Sequence, residues 1–403
     1  MKSRSMLFVL AYLATVSSGV AAALFTQYLP VIVGDIAGAT DRATIGRIGA
    51  QGGAAFLLGW AVGAVLFGRL ADALGRKRAL LFAIVTCTAG VVGTAIVSNV
   101  VMLIAMRTLA GFGAGSILLL CAVLVAEAWK TDGRAKVMGV LANSFPVGLI
   151  IAGVVAIAIK DWRIAHLSGA IMVVIALAVL VLVDESSMWT TSDNISKQHK
   201  AIRDTLFSKE HSKDLVAGIV LFGSMLVGLW AAFVWMPTWV GSLGSPEQSS
   251  SLRSITNILL GVGSVLGGFG AGALADSVGR KRAAAIGYIG CAITTALIFI
   301  PNHSPGLVLY GLTVLLAVFI GNNQGVLIGY IPELFPTLLR GFATGVCYNV
   351  GRVITVVAVL LMGVIITLFG GYDAAVLTFG GAYLVGLAAL TLARETRGRH
   401  LPE

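Results

Sequence analysis

Two arginines of this chain stand where a charge is costly. Arg107 and Arg352 fall inside long apolar runs, and an ionisable group at membrane depth marks function by default. Arg352 is the sharper case. Tyr348 and Asn349, four and three residues before it, share its helix face. A guanidinium presents a planar fork of N–H donors that fits a carboxylate in bidentate fashion. Other apolar runs carry amides and rings that could complete a site: Gln27 and Tyr28, Asn143, Trp230 and Trp235, Asn257, and Asn323 with Gln324. An Arg among amides, Tyr and Trp suits a carboxylate joined to an apolar or ring-bearing body. All 18 Asp and Glu lie in loops or near the ends of apolar runs, Asp35 among them, so the interior is expected to be positive. Trp239 reads as an interfacial anchor.

A second constellation is a loop written twice. Gly68-Arg-Leu-Ala-Asp72-Ala-Leu-Gly75-Arg76-Lys77-Arg78 recurs as Gly272-Ala-Leu-Ala-Asp276-Ser-Val-Gly279-Arg280-Lys281-Arg282, 204 positions later (276 − 72). A further pair, Glu127 and Arg134, recurs as Glu333 and Arg340, 206 positions later (333 − 127). Asp72 can cap a facing helix or pair with an Arg. Each Glu can pair with its own Arg, with the repeated-loop Asp, or across the twofold relation. Ion pairs that form in one state and part in another bias a conformational equilibrium. Exposed pairs are worth about 0–1 kcal/mol each, so a gate needs a network of them.

These residues need a scaffold. Of 403 residues, 58% are hydrophobic and 11% charged, against roughly 25% charged in a soluble domain. The 50 glycines fit closely packed membrane helices. Crossing the hydrocarbon takes roughly 20 apolar residues. Twelve such runs can be read, at about 7–34, 51–71, 78–97, 100–127, 136–159, 165–183, 214–240, 255–275, 283–300, 306–331, 341–368 and 374–392. Backbone groups in lipid must bond internally, so the runs are expected to be helices. The first is too long for the ~7–15-residue apolar core of a signal peptide and reads as a retained helix.

The half-length repeat divides the chain into a bundle over 1–184, a polar linker over 185–213 and a second bundle over 214–403. With the N-terminus and the even-numbered loops inside, only Arg42, Arg47, Lys160, Arg163 and Arg253 of the loop basics fall outside. Both termini are therefore expected in the cytoplasm, and the net charge of +10 is assigned to loops beside an anionic membrane face rather than to nucleic-acid binding. The four cysteines lie in apolar runs without metal or redox spacing, and no Walker-type phosphate loop exists. No metal or cofactor is expected, and no nucleophile–base pair suggests an enzyme.

The repeated Gly-x-Leu-Ala-Asp-x-x-Gly-Arg-Lys-Arg loop resembles the hallmark of the major facilitator superfamily. Asp161-Trp162-Arg163 is similar to its Gly-Trp-Arg signature with Asp replacing Gly, and Arg107-x-x-x-Gly111-x-Gly113 to its second common motif. Glu333-Leu-Phe-Pro336-Thr-x-x-Arg340-Gly341 resembles its sugar and metabolite branches. The resemblance implies an all-α membrane protein of twelve helices in two pseudo-symmetric six-helix bundles, a central cavity and alternating access. It also implies that Asp72 steadies the contact between the two halves on the cytoplasmic side. Together with the repeated pairs, Asp72, Arg76, Asp276, Arg280, Glu127, Arg134, Glu333 and Arg340 are read as a cytoplasmic gate. Departures are informative: the first helix has Ser17, Ser18, Gly19, Gln27 and Tyr28 where many proton-coupled symporters carry a carboxylate. The sugar porters' closing Pro-Glu-Thr appears only as Arg394-Glu395-Thr396. The expected function is secondary transport of a small organic anion, a monocarboxylate or aromatic acid, by a monomer in the inner membrane, with proton symport left open. The alternative is a drug or neutral-solute exporter.

Overall fold

The computed structural model describes residues 4–129, 131–185, 206, 211–299, 304–369 and 371–397, and among them regular structure is entirely helical. Twelve segments are long and apolar enough to cross a membrane. They are α1 (Arg4–Ala37), α2 (Arg42–Leu74), α3 (Arg76–Thr94), α4 (Val100–Ala128), α5 in two pieces, α5a (Thr131–Ala142) and α5b (Ser144–Ala158), and α6, likewise in two, α6a (Trp162–Leu167) and α6b (Ile171–Leu182). The second half has α7 (Ser212–Ser242), α8 (Pro246–Val278), α9 (Arg280–Phe299), α10 (Leu307–Glu333), α11 (Thr337–Phe369) and α12, built from α12a (Tyr372–Gly380) and α12b (Ala382–Ala389). Most of the expected 185–213 linker lies outside the described residues.

Helix ends follow local chemistry. The Asp41 carboxylate accepts from Thr44 N–H at 2.8 Å and starts α2, and Asn99 accepts from Met102 N–H at 2.9 Å and starts α4. α8 begins at Pro246, with Gln248 accepting from Ser245 N–H at 3.4 Å. It therefore starts well before the expected residue 255, because the polar Ser-Ser-Ser-Leu-Arg253 turn is helical. The break in α5 falls at Asn143, three residues before Pro146, whose missing N–H prevents an unbroken ladder.

Within the first bundle α4 is central, packed by α1, α2 and α3. A Cβ on Gly111 would meet the Phe56 carbonyl, and one on Gly113 the Cys87 amide, so α4 runs backbone to backbone against both neighbours. The second bundle repeats this with α8 on α10, where Gly321 abuts the Ser264 carbonyl. In both bundles these glycines serve close helix packing.

The bundles meet pairwise with the same pseudo-symmetry: α2 on α11, and α5b on α8. These contacts gather at the end opposite the repeated loops. Gly49 packs on Trp235, Gly46 on Ile366, Gly153 on Ile258 and Gly261 on Ile150. Toward the repeated-loop end the halves part. There Gly139 of α5a, Gly270 and Gly272 of α8, and Gly341 and Gly345 of α11 have nothing within 4 Å of an added Cβ. The space between the bundles is thus sealed at the far end and open at the repeated-loop end.

Candidate substrate site and gates

Arg352 lies 15 residues from the start of α11 and 17 from its end, near the middle of that helix (352 − 337 and 369 − 352). Its Nη1 donates to Asn349 Oδ1 at 3.4 Å, and its guanidinium carbon lies 5.8 Å from the centroid of the Trp60 ring on α2, in the other bundle. Among the described residues it has no carboxylate partner. Asn349 is itself held by its Nδ2 donating to the Gly345 carbonyl at 3.0 Å, so its oxygen is aimed at the cation. Trp60 is the hub of a ring cluster, 5.8 Å from Phe56, 5.5 Å from Phe145 and 6.2 Å from Trp230. Beside these rings is a small recess lined by Ala22, Ala23 and Thr26 of α1, Phe145 and Leu149 of α5b, and Trp230 of α7. The result is one half-buried guanidinium facing a wall of aromatic rings.

Arg107 is treated differently. It is buried, donates from Nη1 to the Ala21 carbonyl at 2.9 Å, and lies between the Phe25 ring at 4.6 Å and the Phe56 ring at 4.4 Å. Its Nε has no partner among the described residues. Phe56 also touches Trp60 and Trp230, so a chain of rings separates the two cations.

The other expected site residues divide. Trp230 is part of the ring wall. Tyr348 stacks on Phe222 at 4.1 Å and donates to the Ile328 carbonyl at 3.3 Å, which holds it against its own bundle beside Arg352. Asn143 caps the break in α5, donating to the Gly139 carbonyl at 3.0 Å and laying its amide on Gly268 of α8. Asn257 donates across the bundle interface to the Leu149 carbonyl at 2.7 Å. Tyr28 donates to the Ile159 carbonyl at 2.6 Å, at the end of α5b. Trp235 is fully buried, stacked on Tyr372 at 5.7 Å. Asn323 is buried against Gly287 of α9 with no hydrogen-bond partner among the described residues, and Gln324 is half-buried beside it. Both side-chain atoms of Gln27 are likewise buried without a partner. Trp239 is not an interfacial anchor: it is buried, 4.5 Å from Phe299, because α7 runs through the bundle rather than along its lipid face.

The repeated loops form matching charge networks. Arg76 bonds Asp72 at 3.1 Å and Glu127 at 3.4 Å; Arg280 bonds Asp276 at 2.9 Å and Glu333 at 3.2 Å. Each Glu therefore pairs with the repeated-loop Arg of its own bundle. Arg340 instead donates to the carbonyls of Pro332 at 3.1 Å and Phe335 at 3.4 Å, and the side chain of Arg134 lies outside the described residues.

Sequence reasoning missed two further members. Glu185 accepts from Lys77 N–H at 3.1 Å, and Glu395 accepts from Arg280 N–H at 2.9 Å and Lys281 N–H at 3.1 Å, capping α3 and α9 alike. Gly75 and Gly279 turn the chain ahead of these helices at φ 102° and 96°, where a side chain would be strained. Burial pushes the Glu395 carboxyl up, but the N–H groups of Arg397, Arg280, Lys281 and Thr396 outweigh it and hold it below the ordinary range. Arg253 was also missed. Expected in an outer loop, it is buried within α8.

Twelve spanning helices in two related bundles, a cation among rings between them and duplicated charge networks at the open end define a membrane solute carrier. Residues 7–270 and 254–403 match the model of the Major Facilitator Superfamily, and the chain belongs to that family. It is 30% identical over 340 residues to a cis,cis-muconate transport protein of Acinetobacter baylyi, covering 82% of this chain and 81% of that one. It is 28% identical over 388 residues to a probable 4-methylmuconolactone transporter of Cupriavidus pinatubonensis, covering 93% and 87%. An inward-open structure of the xylose transporter XylE from E. coli superposes with a TM-score of 0.78 at 18% identity, covering 99% of this chain and 98% of that one. The chain is a transporter and not an enzyme.

Proposed function

We propose that this transporter moves a small organic anion, a monocarboxylate or aromatic acid, by alternating access between the two bundles. The observation that carries the reading is Arg352: a guanidinium midway through the fold, without a carboxylate partner among the described residues, facing rings across the open cavity. A cation so placed is costly unless something negative visits it. The carboxylate would take the fork of Arg352 beside Asn349, and the ring or alkyl body would lie against Trp60, Trp230 and Phe145. The relatives named for a muconate and a methylmuconolactone support an organic-anion cargo without favouring a single carboxylate.

The basic repeated loops support a cytoplasmic reading of the open end, by the positive-inside tendency, and the membrane is read as the inner one. The paired networks around Arg76 and Arg280 then act as the cytoplasmic gate, each intact within its own bundle while that end is open. Proton symport is the alternative to simple anion movement. Two carboxylates that could carry a proton, Asp35 and Glu127, are paired in this structure, Asp35 with Arg163 at 3.2 Å and with Trp162, and Glu127 with Arg76 at 3.4 Å. The titrating cargo itself remains a route for the proton.

Purified protein in liposomes tests the reading through uptake of labelled benzoate-type and short-chain acids, with and without a pH gradient. Arg352→Gln should lower uptake about 10- to 100-fold, the loss of a charge-assisted pair worth roughly 1.5–3 kcal/mol. Arg352→Lys should recover part of it. Retained uptake of every acid in Arg352→Gln, or carriage of neutral or cationic solutes indifferent to it, would replace this reading with that of a neutral-solute or drug exporter.

A further inference from the structure

Arg253 sits on the second turn of α8, at the sealed far end, and is only 6% exposed. Its Nε donates to the backbone carbonyl of Gln27 on α1 at 3.0 Å, across the bundle interface, and its Nη1 to Ser249 Oγ at 2.7 Å on its own helix. Its stem packs on Gly241 of α7. Among the described residues no carboxylate pairs with it. One turn further along α8, Asn257 makes the companion crossing bond to the Leu149 carbonyl, and its own Oδ1 has no partner. The Gln27 side chain, on the residue that receives Arg253, is also buried and unpartnered. Among the described residues the far-end seal between α1, α5b and α8 is therefore polar, carries the positive charge of Arg253, and meets that charge with neutral groups.

Alternating access requires these crossing bonds to break when the far end opens. Separating α1 from α8 would strip Arg253 of the Gln27 carbonyl and turn its fork toward the newly opened vestibule, beside the amides of Gln27 and Asn257. We propose that Arg253 is a second carboxylate site, hidden while the far end is closed and presented to the cargo anion when that end opens. The inference rests on the organic-anion reading above and deepens it. The anion reaching the far face meets Arg253 first and Arg352 second, and release of Arg253 back to Gln27 accompanies closure behind it. The carboxylate thus takes the place of the Gln27 carbonyl in one state and gives it up in the other.

The test separates the two faces. In proteoliposomes of fixed orientation, uptake of a labelled aromatic acid is measured with the acid presented at the far face and, separately, at the repeated-loop face. Arg253→Gln should raise KM at the far face at least fivefold while KM at the repeated-loop face stays within twofold, which also shows that the variant is folded. Arg253→Lys, which keeps the charge but not the fork, should fall between. In a second arm Ile366→Cys, at the far-end contact with Gly46, reports opening through its rate of reaction with a membrane-impermeant maleimide. Both Arg253 variants should react faster than the Ile366→Cys parent. Equal far-face KM for wild type and Arg253→Gln, or equal reaction rates, would overturn the proposal. Carboxylate uptake that depends on Arg352 but is indifferent to Arg253 removes this inference alone. A wild-type protein that carries no carboxylate removes the organic-anion reading and this inference with it.

Discussion

At the scale of single residues, the difference between Arg107 and Arg352 is one of surroundings. Both sit in apolar helices, but Phe25 and Phe56 cover the guanidinium of Arg107 and the Ala21 carbonyl takes one of its donors. Among the described residues Arg352 has one ring face at 5.8 Å and a single long bond to Asn349. The sequence could show that both charges lie deep, since each is flanked by apolar runs. It could not show which is walled off, because that depends on α1 and α2 side chains distant in the chain. Trp60 was passed over for the same reason. Its only local signal is Phe56 four residues earlier on the same helix face, whereas its role comes from packing on Phe145 and Trp230. As the plate facing the cation, Trp60 should matter through its ring and not its N–H, which is buried without a partner among the described residues. A cation–π and stacking contribution of about 0.5–2 kcal/mol predicts that Trp60→Ala raises the KM for an aromatic acid roughly 2- to 30-fold. Trp60→Phe should stay within about threefold of wild type, since it keeps a ring of the same kind. Equal losses in the two variants would assign the indole N–H, not the ring, to the cargo.

At the scale of elements, the apolar runs gave the twelve helices and most of their order, because length and hydropathy decide what can cross lipid. Their polar ends were longer than expected, as α8 and Arg253 show, since a helix does not stop where its hydrophobicity stops. The charge networks were half legible. The offsets exposed Asp72/Asp276 and Glu127/Glu333, but their partner Arg76 or Arg280 is chosen by how α2, α3 and α4 converge. Glu185 and Glu395 escaped because they act from segments after α6 and after α12, 210 positions apart (395 − 185), out of step with the 204 of the loops they cap. The Glu395 cap predicts a pH dependence with a definite sign. A carboxylate whose native pKa is depressed contributes stability above its unfolded value, roughly 4.3, and loses it as pH falls through the lower native value. In detergent, the melting temperature of wild type should exceed that of Glu395→Gln at pH 6–7, and the two should converge as pH is lowered through about 4 and below. A gap that is unchanged across this range would mean the carboxylate charge does not hold the start of α9.

At the scale of the whole molecule, the asymmetry between the two ends makes the strongest claim about mechanism. The pseudo-symmetric pairs α2–α11 and α5b–α8 are in contact toward the far end and splayed toward the other. If the bundles rock, bulk added at opposite ends should act in opposite directions. A Cβ on Gly261 would lie 2.6 Å from Ile150 Cγ1 and 2.9 Å from the Pro146 carbonyl, so Gly261→Leu wedges the far end now closed. Overpacking of this kind costs about 1–3 kcal/mol, enough to shift a two-state equilibrium roughly 5- to 150-fold toward the far-open form. Maleimide reaction at Ile366→Cys should rise accordingly. Gly272→Leu adds its bulk where nothing lies within 4 Å and leaves the present state undisturbed, but it obstructs closure of the repeated-loop end. It should retain cargo binding from that face, slow the Ile366→Cys reaction, and abolish net transport. A rigid binding protein has no second state for either wedge to favour, so both substitutions would leave the far-end reaction rate alone. Opposite shifts from the two glycines would instead require the bundles to exchange their open and closed ends.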